Sequence, residues 1–376
     1  MRETTPSPRR PRFVAPLALL ALAALAGCAD PAAGADAGQS PSDGGKLGTP
    51  VVPPDAGPDA TVAGDGGTDP GRDAATADAA PPGRPFYVIG GQDLRRIISA
   101  DGKTWTDDTY VAPNGLDNAY SGAAIGNGAI VLSGDSGVVR STDGHTWTAV
   151  TLPVQASLHG SQIVAGAGVF VMVAHADAFV STDGATWKHA AATGDSGHWQ
   201  RVAQGGGHWV ALGDGHIKAS EDGLTWHDYN ATADPNPLAD VAYGNGVFVA
   251  VGTANGMARI KTSKNGVAWQ DQAPVTTSYQ TGFGGIAFGN GVFVTSDCCN
   301  AFESTDGVAW TKRGRGAQAG IVFAGGVFVG AGWRTEAYVY DADAGAFAST
   351  LHGDQPSKYD AGLAPWFTTI AAGEIP

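Results

Sequence analysis

The stretch Ser141-Thr142-Asp143-Gly144-His145-Thr146-Trp147 (STDGHTW) returns forty residues later as STDGATW, Ser181 to Trp187. The same seven-residue pattern begins at Ser99 (SADGKTW), Ser220 (SEDGLTW), Ser263 (SKNGVAW) and Ser304 (STDGVAW). Successive starts are 42, 40, 39, 43 and 41 residues apart. A second unit recurs in step. GNGVFVAVG (Gly244 to Gly252) reappears as GNGAIVLSG, GAGVFVMVA, GGGHWVALG, GNGVFVTSD and GGVFVGAG, and GRPFYVIGG at Gly83 makes seven copies. Short apolar runs between Gly-rich turns read as strands, and a period near forty residues with this character reads as one propeller blade per repeat.

One repeat is therefore strand A ending at the GNG turn, strand B (VFVAVG), strand C running into SxDG, and strand D at the Trp. A seventh heptad is degraded, but Asp341, Asp343, Gly345 and Phe347 keep the acid, the Gly and the aromatic. The repeat array opens on strand B at Gly83, with no strand A before it. It ends on FTTIAAG (Phe367 to Gly373), which matches the strand A segment FGGIAFG (Phe283 to Gly289). The fold predicted is all-β: a seven-bladed propeller of four-stranded blades over residues 83–376, closed by a C-terminal strand that completes the first blade. Closure of this kind removes an open sheet edge.

The heptad residues are expected to do structural work. Asp-Gly or Asn-Gly predicts a two-residue hairpin turn with positive φ. The Ser and Asp oxygens can accept hydrogen bonds from turn N–H groups. The Trp can bury a large area between neighbouring blades. The pattern resembles the Asp-box, or bacterial neuraminidase repeat, of sialidase-like propellers, although here Asp and Gly are adjacent where the usual box has one more residue between them. The resemblance implies that the boxes lie at the C–D turns, on the face opposite a ligand site. It does not fix an activity, since one propeller hosts unrelated functions.

The segment before the repeats is of a different kind. Arg2, Arg9, Arg10 and Arg12 precede an apolar run from Phe13 to Leu25, as in a secretory signal over residues 1–27. Leu25-Ala26-Gly27-Cys28 resembles a bacterial lipobox, which implies a lipid on Cys28. Residues 28–82 are Ala, Asp, Gly and Pro with almost no large apolar side chains, a composition expected to form a disordered tether. Ala29 after the Cys favours the outer membrane by the sorting rules of such lipoproteins. From Gly83 onward there are 26 acidic against 16 basic residues, a net of −10, so no nucleic-acid partner is expected. The membrane would be met only through the lipid anchor, and a monomer is expected.

The B–C loops and blade connections share the face opposite the heptads and supply the candidate site. Ligand-binding candidates are Arg95, Arg96, His175, His198, Arg201, His216, Trp333 and Arg334. The resemblance to sialidases implies three converging Arg for a carboxylate, for which Arg96, Arg201 and Arg334 are available, and a Tyr–Glu pair, for which Glu336 is the loop Glu. A glycosidase needs two carboxylates a few ångströms apart. Asp135, Asp177 and Asp214 are the catalytic candidates with Glu336, and turn chemistry is the competing reading of each Asp beside Gly. No cofactor is expected. His175, His198 and His216 are the candidates for a divalent metal, without HxH or HExxH spacing. Cys298-Cys299 could form a vicinal disulfide or remain free thiols. The function expected is a cell-envelope, non-enzymatic binding or assembly module for an envelope or extracellular protein or a glycan. The alternative is a carbohydrate-active enzyme, a hydrolase or lyase, working on the same face.

Overall fold

The computed structural model of the protein describes residues 84–92, 94–107, 119–191, 199–229, 233–278, 281–297, 299–317, 320–331, 336–351 and 367–375. Within them, strands form seven four-stranded antiparallel sheets. Blades 2 to 7 take residues 120–150, 162–191, 201–228, 238–271, 285–315 and 321–351, each with strands A to D in chain order. Blade 1 is assembled from both ends of the repeat array. Its order is Phe367–Ile375, Arg84–Gly91, Arg96–Ser99 and Thr106–Asp107. The register places Val88 opposite Ala371 and Ile89 opposite Ile370. The C-terminal strand thus completes the first blade.

Two turn chemistries repeat around the ring, and their assignment differs from the sequence expectation. The two-residue turn with both φ positive belongs to the A–B hairpin: Asn127 and Gly128 (49° and 71°), Asn245 and Gly246 (47° and 77°), Asn290 and Gly291 (48° and 79°). Asn tolerates this region better than most non-Gly residues. The Asn amide then reaches the next blade, from Asn127 to the Thr182 carbonyl at 3.2 Å and from Asn290 to the Gly326 carbonyl at 2.9 Å.

At the C–D turn only the Gly has positive φ, as Gly144 (79°) and Gly184 (72°) do. The turn is longer than two residues and is held by side chains. In STDGHTW, Ser141 Oγ accepts the Asp143 and Gly144 N–H groups, and Asp143 Oδ1 accepts those of His145 and Thr146 at 2.8 and 2.7 Å. The Trp147 indole N–H closes on the Gly144 carbonyl at 2.9 Å. The other intact heptads repeat the Ser and Asp bonds. The degraded copy keeps part of them, with Asp341 Oδ1 accepting the N–H groups of Asp343 and Ala344. Strand D begins one residue after the Trp.

The core lies in the seams between blades. Trp187 of blade 3 packs with Ala124, Val131 and Val138 of blade 2, and Trp226 of blade 4 with Val171 and Val173 of blade 3. Burying such large rings against the next blade makes each heptad a contact between repeats. The seam between blades 7 and 1 is filled like the rest, by Ile89 and Ile97 against Ala331 and Ala337. Tyr87 of blade 1 also donates to the Ala324 carbonyl of blade 7 at 2.6 Å. Trp105 departs from its counterparts in donating to Thr350 Oγ1 of blade 7 at 3.2 Å. Both bonds tie the junction where the two ends of the repeat array meet.

Candidate functional site

Strand direction puts the A–B and C–D turns on one face and the B–C turns and blade connections on the other. On that second face, residue types at the B–C turns are first answers to backbone geometry. His175 (φ 49°) and Asp214 (φ 46°, followed by Gly215 at 81°) occupy left-handed positions. Asp214 beside Gly215 is therefore turn chemistry.

The remaining acidic and imidazole candidates are engaged in pairs. Asp135 Oδ1 meets His159 Nδ1 at 3.0 Å, and its N–H donates to the Ala119 carbonyl. Asp177 on strand C of blade 3 meets His189 on strand D at 2.7 Å. In blade 4 the order reverses, with His216 on strand C and Asp228 on strand D at 2.8 Å. These pairs fasten outer strands or a connection, and none brings two carboxylates together. Among the described residues no group of three His, Cys, Asp or Glu side chains is placed to hold a metal ion. His198, Trp333, Arg334, Cys298 and Cys28 lie outside the described residues. Cys299 is disulfide-bonded. Beside it, the buried Asp297 carboxylate accepts the Cys299, Asn300 and Ser278 N–H groups at 2.7, 2.6 and 2.8 Å.

The described candidate arginines, Arg95, Arg96 and Arg201, are engaged separately. Arg95 belongs to the B–C turn of blade 1, where its N–H donates to the Gln92 carbonyl at 3.1 Å. Arg96 is buried, with its guanidinium 4.7 Å from the ring centre of Trp147, a cation–π contact across the seam to blade 2. Arg201 lies on the inner strand of blade 4 and faces a carboxylate that sequence reasoning missed. Asp240, on the inner strand of blade 5, stands 4.0 Å from the Arg201 guanidinium. Its two oxygens accept the N–H groups of Val241 (2.9 Å) and Ile286 of blade 6 (3.0 Å). Burial raises the Asp240 pKa, against the pull of Arg201 and of those donors. One blade earlier, the Gln162 side-chain oxygen accepts the Val202 N–H of blade 4 at 2.5 Å. Gln162, Arg201 and Asp240 therefore lace the inner strands of four consecutive blades, 3 to 6.

Two Tyr–Glu pairs occur at blades 6 and 7. Tyr338 donates to Glu336, and Tyr340 to Glu303 at 2.5 Å. Tyr338 is fully buried, with Arg315 5.5 Å from its ring centre. Burial first, then the adjacent Glu336, raises the Tyr338 pKa far above its ordinary value. A phenol enclosed and held protonated in this way is not presented to a substrate. Glu303 also holds Arg313 at 2.6 Å, which makes that pair a three-member seam contact.

A cleft of about 450 Å³ lies between blades 4 and 5. One end is formed by the B–C turn of blade 4 (Gly213, Gly215, His216) and the connection Ala233 to Asn236. Leu212, Ile217, Val267 and Trp269 supply its apolar wall, and Tyr229, Asp234 and Lys261 its polar one. The charges are matched. Asp234 binds Arg259, which lowers the Asp234 pKa, and Lys261 holds Asp271 at 2.9 Å. Sequence reasoning found only His216 of these residues. Beside the cleft the outer strand of blade 4 is the two residues His227–Asp228, and the Asp234 N–H donates to the Gly215 carbonyl at 2.9 Å.

No protein-family model and no curated protein matches this chain. Solved structures do. The chain is similar to a catalytically inactive virginiamycin B lyase from Staphylococcus aureus with quinupristin, at 11% identity and TM-score 0.55, over 65% of this chain and 87% of that one. It is similar to a streptogramin B lyase at 10% identity and TM-score 0.54, over 72% and 88%. A structure of YCF48 bound to D1 peptide matches at 17% identity and TM-score 0.47, over 61% and 77%. At such identities the two lyases bear on the fold alone. The class defined by sheet topology and the similarity to the two lyases is the seven-bladed β-propeller.

Proposed function

We propose that the protein is a lipid-anchored envelope propeller that binds a protein or glycan ligand on its B–C face without turning it over. The observation that carries this reading is the cleft between blades 4 and 5. It is concave and mixes apolar with polar lining, yet its Asp234 and Lys261 are already matched by Arg259 and Asp271. Concavity with a few placed polar groups suits recognition. Catalysis by two carboxylates would call for an acid and a base kept available to the substrate, whereas Asp135 and Asp177 each hold a His. The heptad bonding supports a relationship to Asp-box propellers.

Anchoring rests on Leu25-Ala26-Gly27-Cys28 after an apolar run. Cys28→Ser should move the protein from the membrane fraction to the soluble one, and continued membrane association would remove the lipid anchor from the proposal. Binding is tested by presenting the full chain to a glycan array and to crosslinked envelope protein, with a reducing-sugar assay on every glycan hit. Retention without sugar release is the expected result. Release of reducing ends would replace the binding module with an enzyme.

A further inference from the structure

The cleft between blades 4 and 5 has a chemistry specific enough to name a ligand class. We propose that it binds a neutral saccharide of one or two rings; this rests on the binding reading above and sharpens it.

Size is the first consideration. A cavity of about 450 Å³ lies in the range that takes small ligands and excludes a folded partner. The aromatic groups come next. The Trp269 indole N–H is committed to the Gly266 carbonyl at 2.9 Å, so the ring surface is what Trp269 can offer a ligand. Tyr229 is 44% exposed, and among the described residues its hydroxyl makes no hydrogen bond. A sugar ring has an apolar C–H face and a hydroxyl rim, which matches aromatic groups with an apolar body and a polar tip.

The polar groups favour hydroxyls. Lys261 Nζ uses one of its three N–H bonds on Asp271. Asp234 takes the Asn236 N–H on one oxygen (3.0 Å) and Arg259 on the other, and each oxygen keeps a second lone pair. Donors and acceptors therefore stand side by side, and a hydroxyl can serve both. A carboxylate or phosphate ligand would find no surplus cation, because Lys261 and Arg259 face Asp234 and Asp271. An extended peptide would need a free strand edge to pair with. The outer strand of blade 4 has only two residues, and the next N–H, that of Tyr229, is already given to the Ile217 carbonyl.

The test titrates the full chain, in detergent, with cellobiose, maltose, lactose and chitobiose, and with N-acetylneuraminic acid as the anionic comparator. Calorimetry and tryptophan fluorescence are the readouts. At least one neutral disaccharide should saturate with Kd on the order of millimolar or tighter. Tyr229→Ala, at an exposed position, should weaken it about tenfold or more with an unchanged melting midpoint, and Lys261→Gln should do likewise. Saturation that neither variant alters would place the sugar elsewhere and overturn the assignment. Tighter binding of N-acetylneuraminic acid than of any neutral sugar would overturn the ligand class. Failure of all the sugars alongside retention of a protein ligand would overturn the saccharide and leave the binding module standing. Failure of both would remove both readings.

Discussion

The Asp of the heptad shows how a charge can strengthen a turn without being required for its shape. In the fifth copy Asn265 replaces Asp, and its Oδ1 still accepts the N–H groups of Val267 and Ala268, both at 3.0 Å. Asp183 accepts the matching pair from Ala185 and Thr186 at 2.8 Å. Those donors, Thr186 first, lower the Asp183 pKa from 3.8 to about 2. A folded carboxylate with a depressed pKa adds stability above the unfolded value, and that stability is lost as pH falls through the folded one. Asp183→Asn should therefore lower the melting midpoint at neutral pH and flatten its decline between about pH 4 and pH 2. An unchanged acid slope would show that Asp183 does not take part. Asp240 works in the opposite direction. Burial raises its pKa, so its contribution is present below the unfolded value and is lost as pH rises through the folded one. Arg201 holds that rise back. Arg201→Gln should move the Asp240 carboxyl titration further up, as followed by carbon NMR of the side chain, and a static or falling value would contradict the 4.0 Å pairing.

At the scale of the element, the heptad joins a local turn to a distant seam. Gly184 shows why Gly follows Asp. Its φ is 72°, and a Cβ there would meet Val131 Cγ2 of the preceding blade at 2.6 Å. The sequence makes the first requirement legible, and the second appears only when blades are placed side by side. The same limit explains the exchange of turn types. Asp-Gly and Asn-Gly both signal tight hairpins, but Ser141 and Asp143 capture the turn N–H groups and hold a longer loop. Packing of the Trp into the seams was legible, because six copies at one phase have few other uses, but its depth was not: Trp187 and Trp226 are buried, whereas Trp105, Trp147, Trp269 and Trp310 are half-buried. Trp187→Ala should destabilise the protein by about 3–5 kcal/mol, the range for a large buried aromatic, in urea unfolding monitored by circular dichroism. A loss within about 0.5 kcal/mol would belong to a surface site and would contradict its packing on Val131 and Val138.

At the scale of the whole molecule, the ring was readable because repeat and remainder agreed: an array that opens on strand B and ends on strand A closes on itself. The site was less readable for the same reason. The lacing residues hold one phase of the repeat but differ in kind, as Gln162, Arg201 and Asp240, with Gly285 at that position in blade 6, so no motif marks them. The cleft is lined by the B–C turn of blade 4, the connection Ala233 to Asn236 and residues of blade 5, a combination that no single repeat unit records. Closure itself can be tested. A chain ending before Phe367 would leave the Arg84–Gly91 strand as an inner edge and remove Ile370 and Ala371 from the seams on either side of blade 1. It would also remove the Thr368 hydroxyl, which donates to the Tyr120 carbonyl of blade 2. An unpaired inner edge invites pairing with another chain. The truncated protein should melt about 10 °C lower or more and associate as its concentration rises. A synthetic peptide spanning Phe367 to Ile375 should recover the midpoint, because a segment that binds only the folded ring stabilises it by mass action. A truncated monomer that melts with the full chain would mean that six complete blades and their seams hold the ring without the last strand, and that the split repeat is not what closes it.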